Sequence, residues 1–217
     1  MREVIEGLIN EVNKIDKVKL TDISNNLRDD TAIIVIDMVK GFCTEGVLSS
    51  DRTLKIINPI LSLLNKTKEC EKIFFLDSHT NDSVELTCYP NHCMLGTIEE
   101  ELIDELNDFY KNDNKSILIK KNSINGFHVD EFRLWLEKND NIRNFIVFGV
   151  CTDICVETFV ISLKTYFNEY NIDKKIYVPI NCIETFNSND HNADLMNVIS
   201  INKMKSNGIT VVKKIED

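Results

Sequence analysis

Short apolar runs recur along this chain, separated by longer stretches in which apolar residues return every three or four positions. The runs are 32–37 (AIIVID), 72–77 (KIFFLD), 116–120 (SILIK), 143–150 (RNFIVFGV), 175–180 (KIYVPI) and 209–213 (ITVVK). Most are continuous rather than alternating, the pattern of strands covered on both faces of a parallel sheet. Helical stretches lie near 53–70, 97–111, 129–138, 154–170 and 191–206. Thr97-Ile98-Glu99-Glu100 reads as a capping box opening the second of them. Gly208 stands where a helix C-cap is wanted, just before the last strand. Residues 1–30 read as an amphipathic N-terminal helix and its polar connection.

This alternation predicts a single three-layer α/β/α, Rossmann-like domain over residues 1–217, with a mostly parallel sheet of about six strands. Ligands of such sheets bind beyond the carboxyl ends of strands, near the point where strand order reverses. Asp37 ends the first expected strand, Asp77 the second and Lys120–Lys121 the third. The fourth runs into Gly149-Val150-Cys151-Thr152-Asp153-Ile154-Cys155. Two carboxylates, an amine and a thiol are thus directed to one end of the sheet.

Composition narrows the partners. Of the 217 residues, 43% are hydrophobic and 28% charged, and the net charge of −10 argues against a phosphate backbone as ligand. No run is long enough for a membrane span, and the acid-bearing N-terminus does not read as a signal peptide. Seven scattered cysteines fit reduced thiols better than a disulfide framework, so the cytoplasm is the expected compartment.

Cys155 lies three residues past Thr152, a good N-cap residue, which would place the thiol in a first helical turn. The positive end of a helix lowers a thiol pKa, and its free N–H groups can stabilise an oxyanion. The competing reading is a cysteine packed as a small hydrophobe. A second constellation lies in 77–93 (DSHTNDSVELTCYPNHC), which holds Asp77, His79, Glu85 and His92. Asp-x-His at a strand end can present both side chains to one cation, with His92 returning from the loop. Two imidazoles and a carboxylate suit Zn²⁺, Fe²⁺ or Mn²⁺; the competing reading is a polar surface loop.

These segments resemble the isochorismatase-like cysteine hydrolases. GVCTDICV is similar to that family's nucleophile signature, IVIDMVKGFCTEGVL to its first strand and loop, and KKNSINGF to its lysine segment. The resemblance runs from about residue 30 to 213 and implies a triad of Asp37, Lys121 and Cys155. Asp37 would serve as general base and then acid, Lys121 would hold the local field positive, and Cys155 would attack an amide carbon. It further implies an oxyanion hole at the Cys151 and Cys155 N–H groups and a cis Val150–Cys151 peptide. Strand alternation sends Lys120 and Lys121 to opposite faces, and the resemblance selects Lys121, which has the family's spacing to Phe127. Cys151, where the family usually has Ala, leaves open an oxidised Cys151–Cys155 pair.

Within that family, Asp77-Ser78-His79 and Tyr89-Pro90-Asn91-His92-Cys93-Met94-Leu95-Gly96-Thr97 resemble the metal segments of the nicotinamidases. This implies one divalent metal ion, zinc before iron or manganese, on Asp77, His79 and His92, with Glu85 as fourth ligand. Phe42 and Tyr89 take the places of aromatics that sandwich the substrate ring, while Phe127 reads as core. His128 and His191 match no ligand position; Asn189 or Asp190 is the expected cap of the last helix. The implied partner is a small-molecule amide, nicotinamide first. The alternatives are another small amide or ureido compound, or a catalytically silent binding module. Members of the superfamily are often homo-oligomers, though no interface is marked in this sequence.

Overall fold

The computed structural model describes residues 2–217. Nine strands follow in chain order: β1 (Val18–Lys19), β2 (Thr31–Ile36), β3 (Glu71–Asp77), β4 (Ser116–Lys121), β5 (Asn144–Val150), β6 (Lys175–Pro179), β7 (Ile183–Glu184), β8 (Thr210–Val212) and β9 (Ile215–Glu216). Six longer helices are numbered here α1 (Arg2–Asn13), α2 (Ile57–Lys66), α3 (Asp104–Lys111), α4 (Asp130–Lys138), α5 (Glu157–Glu169) and α6 (Ala193–Ser206). Seven strands form one sheet in the order β4-β3-β2-β5-β6-β8, with β7 added beside the end of β5. Every pairing in it is parallel. The seventh strand escapes the apolar pattern because two residues are too few to show a period. The N-terminal segment is tied in by β1 pairing β9 and by α1 packing on α6.

Burial explains the continuous apolar runs. All residues of β2 and β5, the two central strands, are buried, because helices cover both faces. The chain leaves β2 in one direction through β3 and β4, then returns to its other side through β5. Strand order therefore reverses between β2 and β5, and their carboxyl ends open a crevice there. Asp37 follows β2 directly, with a φ of +51° that turns its side chain out of the strand alternation. Asp77 and Lys121 are register partners at the ends of β3 and β4.

Two expected boundaries move. The helix expected over 97–111 begins at Asp104, and Thr97 leads only into a 3₁₀ turn at Ile98–Glu100. No capping box forms, since the two glutamates are drawn elsewhere. Glu99 accepts from the Cys93 N–H at 2.9 Å and Glu100 from the Gly96 N–H at 2.8 Å. Glu100 also accepts from Ser78 Oγ (2.5 Å) and Lys120 Nζ (3.0 Å). The last helix is capped by Asn192, which accepts from the Leu195 N–H at 2.9 Å, rather than by Asn189 or Asp190.

Gly149 is the tightest point at the crevice. Its φ is +128°, and a Cβ there would lie 2.0 Å from the Ile36 carbonyl oxygen on the facing strand. Gly149→Ala is expected to destabilise the fold by about 3 kcal/mol or more, measured by urea unfolding, because neither backbone can yield.

Candidate active site

The three strand-end groups meet at Lys121. Its Nζ donates to Asp77 Oδ1 at 2.7 Å and lies 2.8 Å from Asp37 Oδ2 as a charge contact. The whole cluster is withdrawn from water: Asp37 is 0% exposed, Asp77 and Lys121 2% each and Cys155 5%. Lys120 points the other way, to Glu100 at the surface, as strand alternation requires. Among the described residues no well-aimed hydrogen bond reaches either Asp37 oxygen, and Oδ2 is held against the Lys121 ammonium.

Charge settles how the groups share protons. Burial pushes the Asp37 carboxyl up to about 7, against the pull of the Lys121 ammonium, and the Asp77 charge adds to the rise. Burial would raise Asp77 too, but Lys121 and hydrogen bonds from His79 and His92 hold it well below the carboxylate range. Lys121 stays protonated because its two carboxylates outweigh its own burial. At Cys155 burial outweighs Lys121, and the thiol rises well above its usual range. The expected thiolate-favouring helix terminus is thus corrected to a buried thiol that needs a base beside it. Asp37 is close enough for the thiol to bear on its own ionisation.

The local backbone differs from the expectation as well. Thr152–Val156 forms a π turn ahead of α5, and Thr152 caps nothing: its Oγ1 is buried without a partner among the described residues. The Ile154 and Val156 N–H groups both donate to the Cys151 carbonyl, which fixes the turn around Cys155. The Val150–Cys151 peptide is cis. Cys151 and Cys155 are both free thiols.

Asp77, His79 and His92 form a buried cluster whose ligand atoms lie within 4.8 Å of one another. The loop carrying His92 is pinned back onto β3's extension by His79 N–H to Cys93 O (2.9 Å) and Leu95 N–H to His79 O (2.8 Å). His92 Nδ1 donates to Pro90 O at 2.7 Å. This turns Nε2 toward Asp77 Oδ2, 3.0 Å away. His79 Nδ1 similarly reaches Asn122 Oδ1 (3.1 Å) and Ser83 Oγ (3.2 Å), leaving Nε2 toward Asp77 Oδ2 at 3.0 Å. A proton on each Nε2 bonds the Asp77 carboxylate; with those protons gone, both nitrogens and the oxygen converge where a cation can replace them, and a carbonyl or amide oxygen behind each ring is the usual support of a metal-binding imidazole. The donor set fits a divalent metal. Glu85 stands apart from the three: Oε1 is 3.8 Å from His79 Nε2 and has no hydrogen-bond partner among the described residues, while Oε2 accepts from the Ile124 N–H at 2.9 Å.

Thiol and cluster open onto one cavity of about 310 Å³, within the usual range for small-ligand sites. Cys151, Cys155, Asp77, Glu85 and His92 line it, together with Phe42 and Tyr89. The Phe42 and Tyr89 ring centroids lie 5.6 and 6.1 Å from that of His92. Phe127 packs among Phe132 and Tyr166 as a core aromatic, and His128 is exposed and caps nothing.

A family model described as the isochorismatase domain matches residues 31–211. The chain belongs to the isochorismatase family. Within that family it is similar to nicotinamidase 1 of Arabidopsis thaliana, 27% identical over 217 residues and covering 88% of each chain. Nicotinamidase PncA from Bacillus subtilis superposes with a TM-score of 0.72 at 25% identity, over 85% of this chain and 99% of that one. A pyrazinamidase of Pyrococcus horikoshii solved in complex with zinc shares the fold at 21% identity and a TM-score of 0.66, over 84% and 98% of the two chains.

Sequence reasoning missed Phe186, which lines the cavity, and His191, which packs on it. The usable signal was positional: Phe186 follows β7, so it too stands at a strand's carboxyl end. No helix among the described residues is long and apolar enough to cross a membrane.

Asp37 must be ionised to receive the thiol proton. In chelator-stripped protein, alkylation of Cys155 by iodoacetamide is therefore expected to climb about tenfold per pH unit up to a bend near 7. In Asp37→Asn the bend should vanish and the neutral-pH rate fall by about 100-fold or more; mass spectrometry of the modified peptide reads both.

Proposed function

We propose that the protein is a cysteine amidohydrolase that converts nicotinamide to nicotinate and ammonia, a step of pyridine salvage. The observation carrying this reading is that the buried thiol and two members of the Asp-His-His cluster, Asp77 and His92, line one small cavity together with Phe42 and Tyr89. A flat carboxamide fits between Phe42 and Tyr89 with its carbonyl carbon over Cys155. The likeness to the plant and Bacillus nicotinamidases supports the same substrate.

In this reading the Cys155 sulfur attacks the amide carbon while its proton passes to Asp37. The Cys151 and Cys155 N–H groups face the oxyanion. As the C–N bond breaks, Asp37 returns the proton to the departing nitrogen and ammonia leaves. Water then attacks the thioester, giving a proton to Asp37; as the C–S bond breaks Asp37 passes that proton to the sulfur, restoring the thiol, and the product acid loses its own proton to solvent as nicotinate. Lys121 keeps Asp37 able to ionise in a dry site. Asp77, His79 and His92, with Glu85 as fourth ligand, would hold the divalent ion, zinc before iron or manganese. Bound there, the ion supplies a Lewis-acid site for the ring nitrogen of the substrate. The zinc complex of the Pyrococcus pyrazinamidase supports zinc as the first choice.

Ammonia release from nicotinamide is expected in metal-replete protein. It should fall by about 100-fold or more after chelation and by about 1,000-fold or more in Cys155→Ala. Metal content by mass spectrometry should fall to background in His92→Ala. No turnover by the replete wild type, with metal bound, would remove nicotinamide as the substrate.

A further inference from the structure

The loop between β7 and α6 carries an arrangement that the reaction above does not use. The His191 and Phe186 rings stack in parallel, with centroids 4.0 Å apart and planes 8° from parallel. His191 Nδ1 bonds the Phe186 carbonyl oxygen at 3.0 Å, and Nε2 bonds Asp153 Oδ2 at 2.7 Å. Both ring nitrogens are thus engaged by the protein, and neither is free to contact a ligand. Asp153 belongs to the π turn that holds Cys155, and Phe186 lines the cavity. At its other end the loop is anchored through Glu184, which accepts from Arg52 Nη2 (3.1 Å) and Asn197 Nδ2 (2.7 Å). Asn187 and Ser188 at the loop tip are exposed, and the His191 ring covers one face of Phe186.

We propose that His191 is a positioning residue that clamps Phe186 as a wall of the substrate cavity and ties that wall to the turn bearing Cys155. Through it the enzyme sets how tightly a flat aromatic amide is held, with little effect on the chemical step. The proposal rests on the amide-hydrolase reading for its substrate, but the clamp itself is a property of the loop.

The test compares metal-replete wild type with His191→Phe, which keeps a stacking ring and loses both hydrogen bonds, with Phe186→Leu, and with the double variant. For nicotinamide, KM is expected to rise about tenfold in each single variant with kcat within about threefold, and the double variant to be no worse than the more affected single one. Multiplying effects in the double variant, or a fall in kcat at unchanged KM, would overturn the proposal. A readout without turnover runs beside it: the rates at which N-phenylmaleimide and iodoacetamide modify Cys155, with Cys155→Ala as background. The bulky-to-small ratio should rise about fivefold or more in both single variants and no further in the double. An unchanged ratio overturns the clamp whether or not nicotinamide is a substrate. A raised ratio without wild-type turnover supports the clamp and removes only the nicotinamide reading. Should His191→Phe fail to fold, His191→Gln is judged against the same outcomes.

Discussion

Everything at this site depends on one buried ammonium. Lys121 sits between Asp37 and Asp77, 2.8 and 2.7 Å from their oxygens, with all three side chains at most 2% exposed. Two carboxylates this close in a dry pocket would otherwise be driven to share a proton, because burial and mutual repulsion both penalise the second charge. The lysine divides them into two roles. Asp77, hydrogen-bonded by Lys121 and both imidazoles, stays an anion suited to a metal. Asp37, lacking a well-aimed donor, is left near 7, where it can both take and return a proton. Removing one member of such a buried set costs about 3–5 kcal/mol, since the remaining charge is stranded. The thiol with its neighbouring carboxylate and the Asp-His-His cluster are therefore one electrostatic unit.

The fold supplies the convergence. Reversal of strand order between β2 and β5 opens the crevice, and the parallel register sets Asp77 beside Lys121. The positive φ of Asp37 and the close backbone approach at Gly149 bring the ends of β2 and β5 together over the lysine. The second carboxylate oxygen of Asp77 then reaches the histidine loop, which is stapled by glutamates 99 and 100. Asp77 and His92 of that cluster and the Cys155 thiol thus line one cavity.

Much of this was legible in the sequence, for identifiable reasons. Continuous apolar runs revealed six of the seven strands of the main sheet, because burial on both faces leaves an unambiguous pattern. Asp37, Asp77, Lys121 and Cys155 stood at the ends of those runs, where the strand-end rule points, and strand alternation separated Lys121 from Lys120. What escaped depended on contacts distant in sequence. Glu99 and Glu100 looked like cap residues, yet they serve backbone N–H groups of the metal loop. Thr152 looked like a helix cap, but the turn tightened into a π form and burial, rather than a helix terminus, came to govern the thiol. His191 matched no ligand pattern because its partners, Asp153 and the Phe186 carbonyl, come together only when β7 lies beside β5.

The most direct test of Lys121 as the divider of the two carboxylates is a ¹³C NMR titration of aspartate-labelled, chelator-stripped protein, comparing wild type with Lys121→Met. The wild type should show the Asp37 carboxyl ionising near 7 and Asp77 ionised throughout the neutral range. In Lys121→Met one of the two carboxyls should stay protonated beyond pH 8. Two carboxylates that remain ionised at pH 7 to 8 without the lysine would contradict the account.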